Sequence, residues 1–228
     1  MLTPKEQLVS EHLSKFVSDH KKSGVERVLE NRTRHITVVL EDIFQSQNAS
    51  AVVRTCECMG IQDIHILENI SKYSINPKVL KGANKWMNLH VHASSDHDNT
   101  ITCLNNLKKL GYKVLVADPD PDGLSIFDFD ITKSKVALLF GNELRGVSKS
   151  ALENCDHKVR IPMYGFTESL NISVSVAICV NSLINKLHLS GIPLGLNDEE
   201  KAIIRLGWYR KIVKKSSLIE REFLRAIE

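Results

Sequence analysis

Five side chains, Asn48, Arg54, Glu143, Ser169 and Asn171, sit where this chain is expected to pass from a strand into a helix. They fall in three segments, QNASAVVRTCECMG, LLFGNELRGVS and IPMYGFTESLNISVSVA. An amide at 48 or 171 can orient a polar group, a guanidinium at 54 can stabilise an anion, and a carboxylate at 143 can orient either. Gly141 lets the chain turn tightly off its strand, and Gly146 allows close backbone approach before the next helix. Taken singly, each has a plainer reading. Asn48 and Asn171 are placed as helix caps, Arg54 lies opposite the buried stripe of Val52, Cys56 and Met59, and the glycines suit an ordinary turn.

Other chemistries lack their signatures. The sequence contains no GxG, no GKS or GKT and no GxSxG, so a Rossmann fingerprint, a P-loop and a hydrolase elbow are all missing. His90 and His92 share one strand face and could chelate a metal, but no third ligand stands at a suggestive spacing, so both read as structural or surface histidines. The five cysteines form no CxxC pair and read as reduced thiols that mostly fill the core.

The elements that must position the five side chains alternate in type. Apolar strands are expected at 35–41, 63–68, 89–92, 112–118, 135–141 and 157–163, with helices at 48–59, 96–110, 148–152 and 171–189. This is the pattern of an α/β fold, a mostly parallel sheet covered by helices on both faces, and the three segments stand at the carboxyl ends of its strands, where such sheets place their sites. The helix from Asn171 is apolar around most of its circumference, which calls for more than one neighbour, and a dimer interface would supply the second. A helical N-terminal extension spans 1–34, with one amphipathic helix from Lys5 to about His20 carrying Leu8, Val9, Leu13, Phe16 and Val17. The central domain spans 35–190. A C-terminal helical extension, 191–228, opens with a linker containing Gly191, Pro193 and Gly195 and continues with two helices, the first capped by Asn197 and the second by Ser216 or Ser217.

Net charge is only +3, yet basic residues gather at the ends, Lys21, Lys22, Arg27, Arg32 and Arg34 before the first strand and Arg205, Arg210, Lys211, Lys214 and Lys215 in the tail. Taken alone these read as solvated helix faces. No apolar run approaches the ~20 residues of a bilayer span, and the charged N-terminus is unlike a signal peptide, so a cytoplasmic protein without a membrane segment is expected.

Together and in this order, the three segments resemble the motifs of the SPOUT, or α/β-knot, RNA methyltransferases of the TrmH/SpoU type, over roughly residues 35 to 190. The first motif stands here as Asn48, Arg54 and Thr55, the second as Gly141 to Gly146 with Glu143, and the third as Ile161 to Ala177. The resemblance implies a C-terminal deep trefoil knot and S-adenosylmethionine bound against Ala117, Asp118, Gly141, Gly146, Ile161, Met163, Ser169 and Leu170. It also implies a homodimer with the site at the interface, RNA as partner, and no need for a metal. The reaction implied is methylation of a ribose 2′-hydroxyl, with Arg54 acting on the hydroxyl proton or on the developing alkoxide, oriented by Glu143, and with Asn48, Ser169 and Asn171 around it. The basic ends would then contact RNA, with Trp208 and Tyr209 stacking or packing. The short helical extensions resemble those of the tRNA enzymes that act on the D-loop guanosine at position 18. Methylation of ribosomal RNA and a non-catalytic RNA-binding role are the alternatives.

Overall fold

The computed structural model describes residues 1–193 and 195–227. The chain divides into two compact units, Arg34–Leu194 and a second one built from Met1–Thr33 together with Gly195–Glu228.

In chain order the elements are α1 (Pro4–Ser14), α2 (Asp19–Leu29), β1 (Ile36–Glu41), α3 (Ser46–Cys58), β2 (Asp63–Leu67), α4 (Pro77–Leu80), β3 (Asn88–His92), α5 (Asn99–Lys109) and β4 (Tyr112–Ala117). They continue with β5 (Leu124–Ser125), β6 (Lys135–Phe140), α6 (Lys149–Asn154), β7 (His157–Arg160), α7 (Ile172–Ser190), α8 (Asp198–Ile212) and α9 (Ser216–Ile227). Among the described residues, seven strands form one sheet in the order β3-β2-β1-β6-β4-β7-β5. Every pairing is parallel, which agrees with the apolar runs of the central strands. All six residues of β1 are buried.

One sheet face packs Val38, Leu40 and Leu138 against Val52 and Cys56 of α3 and Val176 and Leu183 of α7. The other packs Val39, Val116 and Leu139 against Cys103, Leu104 and Leu107 of α5 and Ala151 of α6. The expected two-faced α/β architecture is therefore present. The sequence missed the two-residue β5, too short to show a period, and the four-residue α4.

α7, of 19 residues, has the length and hydropathy of a membrane helix, with mean hydropathy 1.4 over an 18-residue window. It nevertheless buries Ile172, Val176, Cys179, Val180, Leu183 and Leu187 in this unit and presents Asn181, Asn185 and His188 on its exposed side. Lys186 reaches from α7 to donate hydrogen bonds to the carbonyls of Phe127 (2.6 Å) and Phe129 (2.8 Å), tying down the connection that follows β5.

In the other unit, the single first helix expected from Lys5 to His20 is two helices. The chain leaves α1 at Lys15, and Ser18 is extended (φ −65°, ψ 152°) before α2 begins. The apolar period hid the break because Val17 is buried along with Val9 and Leu13, whereas Leu8 and Phe16 of the expected stripe are exposed. Reciprocal capping boxes at Thr3/Glu6 and Asn197/Glu200 start α1 and α8. The serine cap expected for α9 is not used as such. Lys215 turns with φ +55°, Ser216 is the first helical residue, and its hydroxyl donates to the Arg210 carbonyl at 2.6 Å. Part of the expected linker, Leu194, lies outside the described residues.

Candidate active site

The ends of β4, β6 and β7 and the start of α7 enclose a cleft of about 660 Å³, within the range of small-molecule sites. Asn48 lines it from α3, and Gly141, Glu143 and Gly146 line it from the turn after β6. Ala117 and Asp118 enter from the end of β4, and Ile161, Met163, Ser169, Leu170 and Asn171 from the segment before α7. Of the twelve candidate catalytic and cofactor-binding residues, Arg54 alone is not on its wall.

The three segments are joined by one run of side-chain hydrogen bonds. Asn171 Nδ2 donates to Asn48 Oδ1 at 3.1 Å, and Asn48 Nδ2 donates to Glu143 Oε1 at 2.9 Å. Asn171 also caps α7, its Oδ1 accepting from Ser173 N at 2.9 Å. Asn48 was expected as a cap and is not one. α3 begins two residues earlier, at Ser46, so Asn48 is already helical and its amide is directed across to Glu143 instead.

Glu143 accepts further bonds from Phe44 N (3.0 Å) and Gln45 N (3.4 Å). Burial works to raise its pKa, but the Asn48 amide and these N–H groups outweigh it and hold the carboxyl below its ordinary value. Such a carboxylate anchors the chain between β1 and α3 and is a poor proton acceptor. Within the single chain and among the described residues, Glu143 makes no ion pair with Arg54, and its oxygens face these other donors. Arg54 is exposed on α3 and, among the described residues, has no hydrogen-bond or ion-pair partner. Ser169 stands exposed at the cleft without a hydrogen bond among the described residues.

The turn after β6 depends on its glycines and on Asn142, a residue the sequence reading passed over. A Cβ on Gly141 would lie 2.4 Å from the Gly146 carbonyl oxygen and 2.5 Å from Val147 N, both backbone atoms. Gly146 has φ +69°. Asn142 is buried, donates from Nδ2 to the Asp42 carbonyl at 2.6 Å and accepts from Leu144 N at 2.9 Å. Beyond this turn, the buried Glu41 accepts from Ser148 N (2.8 Å) and from Thr100 Oγ1 (2.6 Å), which fixes where α6 starts. A buried acceptor facing a turn is a tertiary relation, so Asn142 and Glu41 left no local signal.

The two histidines read as structural or surface groups belong to a larger group. His65 Nδ1 lies 3.1 Å from His92 Nε2, the His65 ring stacks on His90 at 4.7 Å, and His90 Nε2 is 2.9 Å from Asp63 Oδ1. Burial, with His90 and His92 beside it, pushes His65 from its ordinary 6.5 to about 4, so it is neutral near pH 7.

Several basic residues marked as RNA contacts have other partners. In the helical unit Arg205 makes two 2.6 Å bonds to Glu26, and Arg210 pairs with Glu220 at 2.6 Å. Arg32 is 1% exposed with its guanidinium 5.5 Å from the Trp208 ring centroid. Trp208 and Tyr209 are 3% and 4% exposed, so they pack and are not open for stacking. In the sheet unit Arg34 pairs with Asp63 at 2.7 Å. Lys21, Arg27, Lys214 and Lys215 are exposed.

A parallel sheet with a cleft of mixed polar and apolar lining at the carboxyl ends of its strands is the α/β arrangement in which small-molecule sites are found, here without a glycine-rich dinucleotide fingerprint. The family model described as "SpoU rRNA Methylase family" matches residues 35–181. The chain belongs to this family of S-adenosylmethionine-dependent RNA methyltransferases. It is 44% identical over 208 residues, covering 91% of this chain and 93% of its relative, to a tRNA (guanosine(18)-2′-O)-methyltransferase of Borreliella burgdorferi. It is 32% identical over 161 residues, 71% of this chain and 80% of the relative, to the enzyme of the same name from Thermus thermophilus. Among solved structures, the TrmH/SpoU tRNA modifying enzyme of Aquifex aeolicus superposes with a TM-score of 0.76 at 28% identity, covering 86% of this chain and 98% of that one.

Proposed function

We propose that this protein methylates the ribose 2′-hydroxyl of guanosine 18 in tRNA, with S-adenosylmethionine as donor and a second copy of the chain completing each site. The observation that carries the site assignment is the run of bonds from Asn171 through Asn48 to Glu143, which brings the three segments to one cleft. The choice of tRNA rests on similarity, over 91% and 71% of this chain, to two enzymes named for that nucleotide.

The cleft suits the cosubstrate. Gly141 lets the turn close against the Gly146 and Val147 backbone at the cleft wall, Ile161 and Leu170 offer apolar contact, and Asp118 supplies a carboxylate. These residues, with Ala117, Gly146, Met163 and Ser169, would hold it. When bound, it supplies an electrophilic methyl group to the ribose oxygen. We read the stretch from Ile161 into α7 as the threaded part of a trefoil knot, which would make all three walls of the cleft mutually dependent.

Arg54 does not lie on this cleft in a single chain, and the cleft's surroundings carry exposed Phe44, Leu144, Tyr164 and Phe166. Such an apolar fringe favours burial against a second copy. Arg54 of that copy then faces the ribose. A guanidinium is not a proton acceptor, so Arg54 stabilises negative charge developing on the ribose oxygen and holds the neighbouring phosphate. Asn48 and Asn171 keep the loop geometry, and Glu143 anchors it. The exposed lysines Lys214 and Lys215 contribute phosphate contacts. The domain limits, 1–34, 35–190 and 191–228, follow the division of labour proposed here, with chemistry in the middle segment and RNA contacts at the ends.

The test is to incubate the protein with bulk tRNA and labelled donor, digest with nuclease, and map the label by mass spectrometry. 2′-O-methylguanosine at position 18 supports the assignment. Label at another nucleotide, or only in ribosomal RNA supplied in parallel, overturns it. For the shared site, Arg54→Ala and Asn171→Ala are each expected to be inactive, and mixing them should restore turnover because one hybrid site carries neither change. No recovery on mixing would place Arg54 within its own subunit.

A further inference from the structure

The helix-covered sheet face away from the cleft carries a group of residues that the methyl-transfer reading does not use. One ring nitrogen each of His65 and His92 and the sulfur of Cys103 lie within 4.8 Å of one another. The three come from β2, β3 and α5. Cys103 is buried under α5, His65 and His92 are half-buried, and among the described residues the Cys103 sulfur has no hydrogen-bond partner. We infer that His65, His92 and Cys103 form a binding site for a divalent transition-metal ion of borderline softness, zinc foremost, that fastens the edge strand β3 and helix α5 to β2.

The donor set is the argument. Two imidazoles and one thiolate match zinc, which takes nitrogen at about 2.0–2.1 Å and sulfur at about 2.3 Å in a tetrahedron and leaves a fourth position for water when the protein supplies three ligands. Such ligand atoms stand roughly 3.3–3.8 Å apart by that geometry. The imidazole nitrogens, at 3.1 Å, need to part by a few tenths of an ångström, and the widest separation, within 4.8 Å, needs to close by about 1 Å. Binding replaces the thiol proton with the ion, so one proton leaves to solvent and the thiolate becomes the sulfur ligand.

Neighbouring residues limit the freedom of the ligands. Parallel pairing of β2 with β3 sets His65 opposite His90 and Leu67 opposite His92, which places the three imidazoles on one sheet face. The His90 ring covers one side of His65, and Asp63 holds His90 in place. His92 lies on the outermost strand of the sheet, which gives an ion a route in. Asp63 itself has further partners in Asn88 (2.8 Å) and Arg34 (2.7 Å), so this outer shell does not rely on the metal to keep its shape.

The experiment uses the full chain, stripped with a chelator and titrated first with Co²⁺ alone and then with Zn²⁺. The expected result is one equivalent of Co²⁺ bound with a thiolate-to-cobalt charge-transfer band, displaced by Zn²⁺, and a higher thermal midpoint with Zn²⁺. Cys103→Ala should abolish the band. Cys58→Ser, which changes an exposed thiol on α3, should leave it intact. His90→Ala should weaken binding about ten- to a hundredfold, as loss of outer-shell support does. Should Cys103→Ala fail to fold, His92→Asn, on the edge strand, serves in its place and should reduce both the band and the Zn²⁺ shift. Absence of the band in the unaltered chain, or its survival in Cys103→Ala or His92→Asn, overturns the inference and leaves a hydrogen-bonded imidazole pair beside a buried thiol.

Discussion

The two units use similar polar residues to opposite ends. In the sheet unit the amides and carboxylate marked by the sequence meet one another across long stretches of chain, and their bonds shape a cleft. In the helical unit the marked arginines meet glutamates on neighbouring helices, Arg205 with Glu26 and Arg210 with Glu220, and their bonds join helix to helix. The difference lies in what the spacing recorded. Three ordered segments, each placed after a strand, constrain where side chains end up, whereas a run of basic residues constrains only charge.

That contrast can be tested by comparing substitutions in the two units. The largest effect is expected from Gly141→Ala. Its Cβ would need the space of the Gly146 and Val147 backbone, so the turn must move, and affinity for S-adenosylhomocysteine should fall about a hundredfold or more, ~2.7 kcal/mol. Calorimetry measures this directly, and near-normal binding would show that the turn has room to spare. Asn48→Asp comes next, since it sets a second carboxylate against Glu143. A cost of ~1–3 kcal/mol in cofactor affinity follows from leaving the charged acceptor without its donor, and Asn48→Ala should cost less because it adds no charge.

Acidification probes the same anchor. Glu143 titrates below its ordinary value of 4.5 in the folded protein. A group of this kind favours the folded turn above its unfolded pKa, and that contribution is lost as pH falls through the folded value. Cofactor affinity should therefore hold near neutrality and decline below about pH 4.5, and Glu143→Gln should flatten the decline. A profile unchanged by the substitution would assign it to another carboxylate.

The smallest effects belong to the helical unit. Arg205→Ala removes a pair whose members are 28% and 45% exposed, so a stability loss of ~0.2–1 kcal/mol is expected in thermal or denaturant unfolding. Cofactor affinity should not change. Changing Lys214 and Lys215 to alanine should weaken tRNA binding and lower the magnitude of its salt slope by about 1.4–1.8, two phosphate contacts at ~0.7–0.9 each. An unaltered slope would reduce these lysines to a solvated helix end.

Much of the sheet unit could be read in advance because its strands are apolar runs and its helices have a clear period. All six expected strands exist, with ends within a few residues of expectation. The cleft residues were legible through their ordered segments, Arg54 excepted as far as its place in a single chain goes. Asn142 and Glu41 were not legible, since their importance lies in Asp42, Thr100 and Ser148, residues that no local pattern connects to them. The histidine group was half legible. The strand period placed His90 and His92 on one face, but His65 and Cys103 join them through strand pairing and a helix laid over the sheet. In the helical unit the break at Lys15 was invisible because buried positions continued through it.

The bond between Asn171 and Asn48 joins residues 123 positions apart. A growing chain on the ribosome therefore has Asn48 and its helix in hand long before the other side of the pocket has been made. The methyl donor has nowhere complete to settle until synthesis has passed the start of α7, so every truncated product ending earlier should be blind to it.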